Sequence, residues 1–557
     1  IREVMNEVQG KTKARGEETM QTETVKRVTS MEELREARKR AAHRKRRIIF
    51  NNDGNESVYY MNEATPKAFL DCRTTSLLGS QVDSIFYCTW SSGFGMFTHD
   101  TKVGEVFSTT VNPKHPHNKG SGFAKNKTAE LIAKGIDPLK LTVGFCKQHK
   151  LEVFWSFRMN DTHDAWGSWY GEHLFPQLKK DHPEWMVSER KDPAKRGSTD
   201  VKDYNRSKHG GWTAMDFNHQ EVRDLAVKLF EEVCENYDVD GIEMDFFRHP
   251  IYFKGPAWSK DASQDELGKL TDMARQIRKM TERVGLKRGR PILVGIRVPD
   301  SIDYCRAMGI DVERWLAEGL VDVMAVTGYF RLNPWSVSVD LGKRYGVPVY
   351  ASLSETRIRD GAAKKLRASQ ACYRGRAAVA WGSGVDGIYM FNSFNPKSPL
   401  WRQLGDPAGL QGLDKAYVIG ARGVRVINSW MKDGEKRFLS RPSLSPERPV
   451  KLQPGKLAEV ELQIAGLPKQ RSAIEGILRV RVKDLADATV QVAFNGQVLA
   501  NGVTAAPWTD YTLDPKTLRE GTNSVTVTLP AESAAKAVWM DVAVQVKRST
   551  KWQGIPE

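Results

Sequence analysis

The chain has 557 residues, 40% of them hydrophobic and 27% charged, with a formal net charge of +16. That length exceeds one ordinary domain, and that composition suits a chain with a real buried core. No stretch approaches the roughly 20 consecutive apolar residues of a membrane span, and the six scattered cysteines (Cys72, Cys88, Cys146, Cys234, Cys305, Cys372) form no CxxC pair, which excludes a zinc ribbon and argues against a disulfide scaffold.

Residues 1–47 hold 14 Lys+Arg against 8 Glu, a local excess of +6 that leaves +10 for the rest. Residues 1–45 therefore read as a basic, partly helical N-terminal arm with a solvated charged face. No helix-turn-helix, RRM or zinc-finger pattern follows it, so nucleic acid is not an expected partner. The chain opens at Ile1 with no signal-peptide core, and a secreted or periplasmic location is the expectation, with any leader outside the sequence.

From Arg46 onward, short apolar runs alternate with helical patterns. The runs are Arg47–Phe50, Val82–Tyr87, Leu151–Phe157, Val239–Asp245, Pro291–Val298, Val321–Val326, Val347–Ser352 and Val385–Phe391. Between them, Val222, Leu225, Ala226, Leu229, Phe230 and Val233 fall at helical spacing over Gln220–Tyr237, and Asp265–Val284 repeats the pattern. Eight such units predict an α/β fold, a (β/α)8 barrel over residues 46–435. An open doubly wound sheet is the alternative, but no Gly-rich phosphate loop follows any strand. Beyond Pro442, Pro446, Pro449 and Pro454 the period changes from helical to two-residue: Val460, Leu462 and Ile464 alternate with polar residues, and Asn495-Gly496 marks a hairpin. This predicts a C-terminal β-sandwich over 436–557.

Barrel enzymes place their chemistry where strands end at the C-terminal face. The fourth run reads Asp240-Gly241-Ile242-Glu243-Met244-Asp245-Phe246-Phe247-Arg248-His249-Pro250. Alternation sets Glu243 and Asp245 on one face, and burying two carboxylates there is costly unless the position is used. Arg248 and His249 follow at once and are expected to hold them. Glu355, just past the seventh run, would project across the pocket. Carboxylates facing each other across a pocket are what glycoside hydrolysis needs: one protonates the leaving oxygen, the other attacks the anomeric carbon or activates water.

The other strand ends supply polar and aromatic groups suited to hydroxyl-rich ligands. Asn52, Asp53, Trp90, Trp155, Arg158, Asn160, Asp161, Arg248, His249, Arg297, Tyr329 and Asn392 are the expected substrate contacts. Arg158, Arg248, Arg297 and Arg331 all lie at or just past strand ends, which points to a sulfated or uronic-acid-containing glycan.

The segments Asp240–Pro250, Arg47–Gly54 and Trp155–Asp161 resemble the glycosyl-hydrolase-like TIM barrels of bacteria often called family 10 glycosylhydrolases. The resemblance covers roughly residues 46 to 400. In clan A glycoside hydrolases, the acid/base is a Glu ending strand four and the nucleophile a Glu ending strand seven, places that Glu243 and Glu355 match. Ile242 stands where that clan has Asn before the Glu, so Asp245 is a rival, as in clans whose strand-four nucleophile is an Asp. A sandwich after the barrel also resembles the accessory domains of polysaccharide-degrading enzymes.

A metal-dependent barrel hydrolase would need His-x-His on strand one, where Asn52 and Asp53 stand instead; no metal or cofactor is expected. His115 and His117 sit in a Pro/Asn/Lys loop with no carboxylate beside them. The more serious alternative is a non-catalytic carbohydrate-binding barrel, which would keep the lining without the carboxylate pair.

Overall fold

A computed structural model of the chain describes residues 27–89, 94–108, 125–165, 174–188, 213–257, 260–353, 358–419, 437–441 and 443–548. Glu355, Trp90, His115 and His117 lie outside the described residues.

Eight parallel strands close into a barrel: β1 (Ile48–Asn51), β2 (Val82–Cys88), β3 (Glu152–Arg158), β4 (Gly241–Asp245), β5 (Leu293–Val298), β6 (Val323–Val326), β7 (Val349–Ser352) and β8 (Gly387–Phe391), with β1 paired to both β2 and β8. Each strand is buried along most of its length, as parallel strands between helices and a filled interior must be. The helix Gln264–Arg288 has sharp boundaries. Ser263 and Glu266 form a reciprocal capping box at its start, and Gly289 ends it at φ +77°.

Alternation along the strands builds the barrel interior in layers. At the N-terminal end, buried Arg46 meets Glu152 through Nε–Oε2 at 2.6 Å and Nη2–Oε1 at 2.8 Å, while Ser84 donates to the same carboxylate at 2.5 Å. Above them Phe86 and Phe154 stack with ring centroids 4.2 Å apart. Gly241 and Gly295 make room for these rings, because a Cβ on Gly241 would meet the Phe154 ring. Higher still come Ser156, Glu243 and Tyr389, and at the top Arg158, Asp245 and Arg297. The interior is apolar in its middle and charged at both ends.

Gly241→Ala is therefore expected to destabilise the fold by about 1–3 kcal/mol through overpacking. Gly144 lies in the helix Pro138–Gln148 with nothing near its would-be Cβ, so Gly144→Ala is expected to stabilise by about 0.5–1 kcal/mol. Urea unfolding of the two variants checks the contrast.

The described part of the arm, residues 27–45, is less solvated than its charge suggests. Met31–Ala42 is a helix capped by Ser30, and Arg38 docks it on the barrel through Glu282 at 2.7 Å and Asp322 at 3.2 Å.

Among the described residues ten further strands follow: β9 (Lys415–Val418), β10 (Val450–Lys451), β11 (Leu457–Ile464), β12 (Ile474–Lys483), β13 (Gln491–Phe494), β14 (Gln497–Leu499), β15 (Val503–Ala505), β16 (Trp508–Leu513), β17 (Gly521–Thr528) and β18 (Val538–Arg548). They form two antiparallel sheets, β10-β18-β12-β16-β15 with β9 also on β18, and β11-β17-β13-β14. Val460, Leu462, Val525, Val527, Trp539 and Val544 lie in the core between them. The sandwich thus recruits β9 from before residue 436, the boundary expected from the sequence, because the Pro-rich stretch falls after the first strand rather than ahead of it. The two domains meet through a buried pair: Arg367 Nη1 and Nη2 reach Asp541 Oδ2 and Oδ1 at 2.7 and 3.0 Å.

Candidate active site

Glu243 and Asp245 point into the barrel from β4, as alternation requires, and they occupy different levels. Glu243 is fully buried; its Oε2 accepts from Ser156 Oγ at 2.5 Å and from Tyr389 OH at 2.9 Å. Its Oε1 has no hydrogen-bond partner among the described residues. Burial pushes this carboxyl up to about 7, the charge of Asp245 adds to the shift, and Arg297 opposes it.

Asp245 ends the strand one level higher. Arg297 Nε and Nη2 grip its two oxygens at 2.9 and 2.5 Å, and Phe247 N–H donates to Oδ1 at 2.9 Å. The guanidinium lies over the Phe391 ring, 3.8 Å from its centroid. Asp245 and Arg297 are direct neighbours in the β4–β5 register. Thus the strand-four carboxylates are held by Arg297, Ser156 and Tyr389, not by Arg248 and His249 as the sequence suggested. Cross-strand register decides the partner, and adjacency in sequence does not.

Arg248 and His249 serve a second group of carboxylates from the loops after β1 and β3. Arg158 Nη2 meets Asp53 Oδ1 at 2.5 Å and its Nη1 meets Asp161 Oδ2 at 3.1 Å. Arg248 stands farther off, 3.8 Å from Asp53 and 4.0 Å from Asp161, with its guanidinium 5.2 Å from the Tyr329 ring centroid. Burial alone would raise both carboxyls, but Arg158 and Arg248 outweigh it at Asp53, and His163 and Arg158 do so at Asp161, so both sit below the ordinary range. Burial also drives His249 well below the usual histidine value.

Asp161, His163 and His249 bring their ligand atoms within 4.8 Å of one another, close enough for a metal ion by distance alone. Their hydrogen bonds do not suit one. Thr162 N–H donates to His249 Nδ1 at 3.0 Å, which leaves the ring proton on Nε2. His163 Nδ1 lies 2.5 Å from Asp161 Oδ1, and its Nε2 faces Arg248 Nη2 at 3.1 Å. With His249 Nδ1 already accepting a backbone hydrogen bond and two guanidiniums beside the carboxylate, the donor set is poor for a cation.

Several expected contacts are placed elsewhere. Trp155 is on the outer face of β3, stacked on Phe157 and edge-on to Phe230 with centroids at 5.3 and 5.4 Å, and its Nε1 donates to Thr89. The inward residues of β3 are Glu152, Phe154, Ser156 and Arg158. Asn52 exchanges hydrogen bonds with the backbone of Cys88 at 2.9 and 2.6 Å, and Asn160 does the same with Met215 while also donating to Ile251 O. Both amides staple loops. Asn392 and Tyr329 do reach the mouth, where Asn392 Nδ2 donates to Tyr329 OH at 3.3 Å.

Sequence reasoning missed Glu56, a buried carboxylate whose Oε1 lies 2.9 Å from Arg73 and accepts from Asp53 N–H at 3.1 Å. Its three-residue spacing from Asp53 was the available signal. Arg73 is 17 positions further on, too remote in sequence to be paired with it.

The raised pKa of Glu243 has a thermodynamic signature. A carboxyl that binds its proton more tightly when folded stabilises the fold fully below the ordinary value of 4.5, and that contribution is lost as pH rises through about 7. Glu243→Gln keeps the neutral form at all pH values. We expect the variant to lose this pH dependence and to exceed the wild type in stability at pH 8 by up to about 3 kcal/mol. Denaturant midpoints at pH 5 and pH 8 check it, and parallel slopes for the two proteins would remove the proton from Glu243.

Residues 116–279 match a family model described as Glycosyl hydrolase-like 10, in agreement with the resemblance carried by Asp240–Pro250. No curated protein matches the chain. Among solved structures, the chain is similar to a cycloisomaltooligosaccharide glucanotransferase from Paenibacillus sp. (10% identity, 90% of this chain and 57% of that one, TM-score 0.34). It is likewise similar to the PgaB (BpsB) glycoside hydrolase domain from Bordetella bronchiseptica (12% identity, 65% and 98%, TM-score 0.34). A third is the noncanonic maltogenic alpha-amylase AmyB from Thermotoga neapolitana (12% identity, 86% and 98%, TM-score 0.34). The chain thus spans little more than half of the first of these.

Proposed function

We propose that this chain, which matches a glycosyl hydrolase-like family model over residues 116–279, hydrolyses glycosidic bonds at the C-terminal mouth of its barrel. The observation that carries this reading is the concentration of buried charge there. Asp53, Asp161 and Asp245 face Arg158, Arg248 and Arg297, with Glu243 beneath. Ion pairs buried this deeply add little stability over apolar packing, so their place at the functional end of the barrel supports a chemical use. Asp245 is the strand-four carboxylate in this scheme, one level nearer the mouth than Glu243. Glu355, three residues past the end of β7, is its partner. Glu243 keeps a proton near neutrality directly below the reacting groups.

The finer reading is an anionic glycan. Arg158, Arg248 and Arg297 all stand at the mouth, and guanidiniums there suit a sulfate or uronate on the sugar. A second reading, a non-catalytic carbohydrate-binding barrel, is favoured by one fact: both oxygens of Asp245 are engaged by Arg297. The test is release of reducing ends from matched sulfated and desulfated polymers, with binding measured in parallel. Binding without release selects the second reading. Equal or better turnover of the neutral polymer removes the anionic one.

A further inference from the structure

Among the described residues, the exposed Phe, Tyr and Trp side chains are Tyr60, at 73%, and Phe394, at 52%. Both stand on the same side of the barrel rim. Tyr60 ends the short helix Glu56–Tyr60 in the loop after β1, and Phe394 lies just past the end of β8, the strand paired with β1. A single apolar side chain on a surface is ordinary. Two rings sharing one stretch of the rim, beside the proposed catalytic mouth, point to a ligand with apolar faces.

Phe394 is also held from beneath. Arg73, 2% exposed at the end of the helix Pro66–Arg73, donates from Nη1 to Phe394 O at 2.6 Å and from Nη2 to Ser393 O at 2.9 Å. Its guanidinium lies 5.9 Å from the Phe394 ring centroid. Trp401 Nε1 donates to Asn395 O at 2.9 Å, and Ser76 Oγ donates to Pro396 O at 3.3 Å. Four successive carbonyls of this loop, Ser393 to Pro396, are thus pinned by side chains, while the Phe394 ring keeps half its residue in water. The support is continuous with the mouth: Glu56 pairs with Arg73 at 2.9 Å and accepts from Asp53 N–H at 3.1 Å.

A pyranose ring has hydroxyls at its edge and a C–H face that gains by leaving water. A flat aromatic ring on a fixed backbone offers that face a surface and loses little freedom on binding. We propose that Phe394 is the floor of a sugar-binding subsite, on which a pyranose unit of the glycan stacks beside the bond to be cut. The proposal rests on the hydrolase reading for the class of ligand, and adds the place where a further unit of the chain is held.

The experiment is titration calorimetry of the whole chain with cellohexaose, chitohexaose and hexagalacturonic acid, with release of reducing ends measured in parallel. At least one hexasaccharide is expected to bind. Phe394→Leu, at an exposed position, should weaken that binding about tenfold through loss of the stacked ring. Phe394→Tyr keeps the ring and should bind within about twofold of the wild type. In Phe394→Trp, the added indole emission should move to shorter wavelength on saturation, as a ring covered by sugar leaves water. Binding that depends on Phe394 without release of reducing ends supports the subsite and removes the hydrolase reading. Release with the same KM in Phe394→Leu as in the wild type keeps the hydrolase reading and overturns the subsite. The subsite is equally overturned if no hexasaccharide gives saturable heat up to about 10 mM, or if the Phe394→Trp emission stays unchanged at saturation.

Discussion

Asp245→Asn is expected to lower turnover by about 10³-fold and to cost the fold about 3–5 kcal/mol. The two losses have different causes. Turnover falls because an amide cannot exchange the proton or carry the charge that hydrolysis needs. Stability falls because Arg297, fully buried beside Phe391, loses its counter-charge. A double variant, Asp245→Asn with Arg297→Met, separates them: with both charges gone, most of the stability should return while turnover stays low. The single variant should also relax Glu243, because the Asp245 charge is the second cause of its raised pKa, and the stability loss between pH 5 and pH 8 should shrink. Unfolding curves and initial rates on the same preparations check all three. Wild-type turnover in Asp245→Asn would clear Asp245 and return the strand-four role to Glu243.

Asp541→Ala is expected to destabilise the protein by about 3–5 kcal/mol, although it is far from any proposed chemistry. Arg367 and Asp541 are 1% and 0% exposed and cross the boundary between the domains. Removing the carboxylate strands a guanidinium that also donates to Ile419 O. By contrast Lys67 and Asp71 form an exposed helical pair, their side chains 80% and 41% accessible, so Asp71→Ala should cost less than about 1 kcal/mol. Denaturant unfolding of the two variants supplies the comparison. If the Arg367–Asp541 pair couples the domains, Asp541→Ala should also split one unfolding transition into two. A loss no larger than that of Asp71→Ala would mean that the interface is held by its apolar contacts.

The barrel was legible because each of its strands is a short, largely apolar run separated from the next by helical patterns, so every expected run overlaps its strand to within two or three residues. The same property hid which face is which. On β3, Phe154 and Trp155 are both large and aromatic, and only the parity of Glu152 and Arg158 marks the inward face. On β4 the carboxylates are on alternate positions among apolar residues, so the inward pair was evident. Partners were harder. Arg297 is 52 positions from Asp245, and only the β4–β5 register makes them neighbours. Asn52 and Asn160 looked like ligand-binding amides because sequence does not reveal which backbone groups a loop leaves unpaired. Burial, and with it the raised pKa of Glu243, likewise depends on the closed barrel rather than on local sequence.

β9 has a practical consequence for anyone dissecting the protein. It runs antiparallel to β18 from Lys415–Val546 to Val418–Ala543, and Gly375 is packed against its backbone at Ala416. A gene cut in the Pro-rich stretch would leave the N-terminal fragment with a bare strand edge and the C-terminal fragment with an empty berth beside β18. Each exposed edge invites self-association. Produced separately, the pieces should clump; produced together, they should find each other and restore the parent molecule.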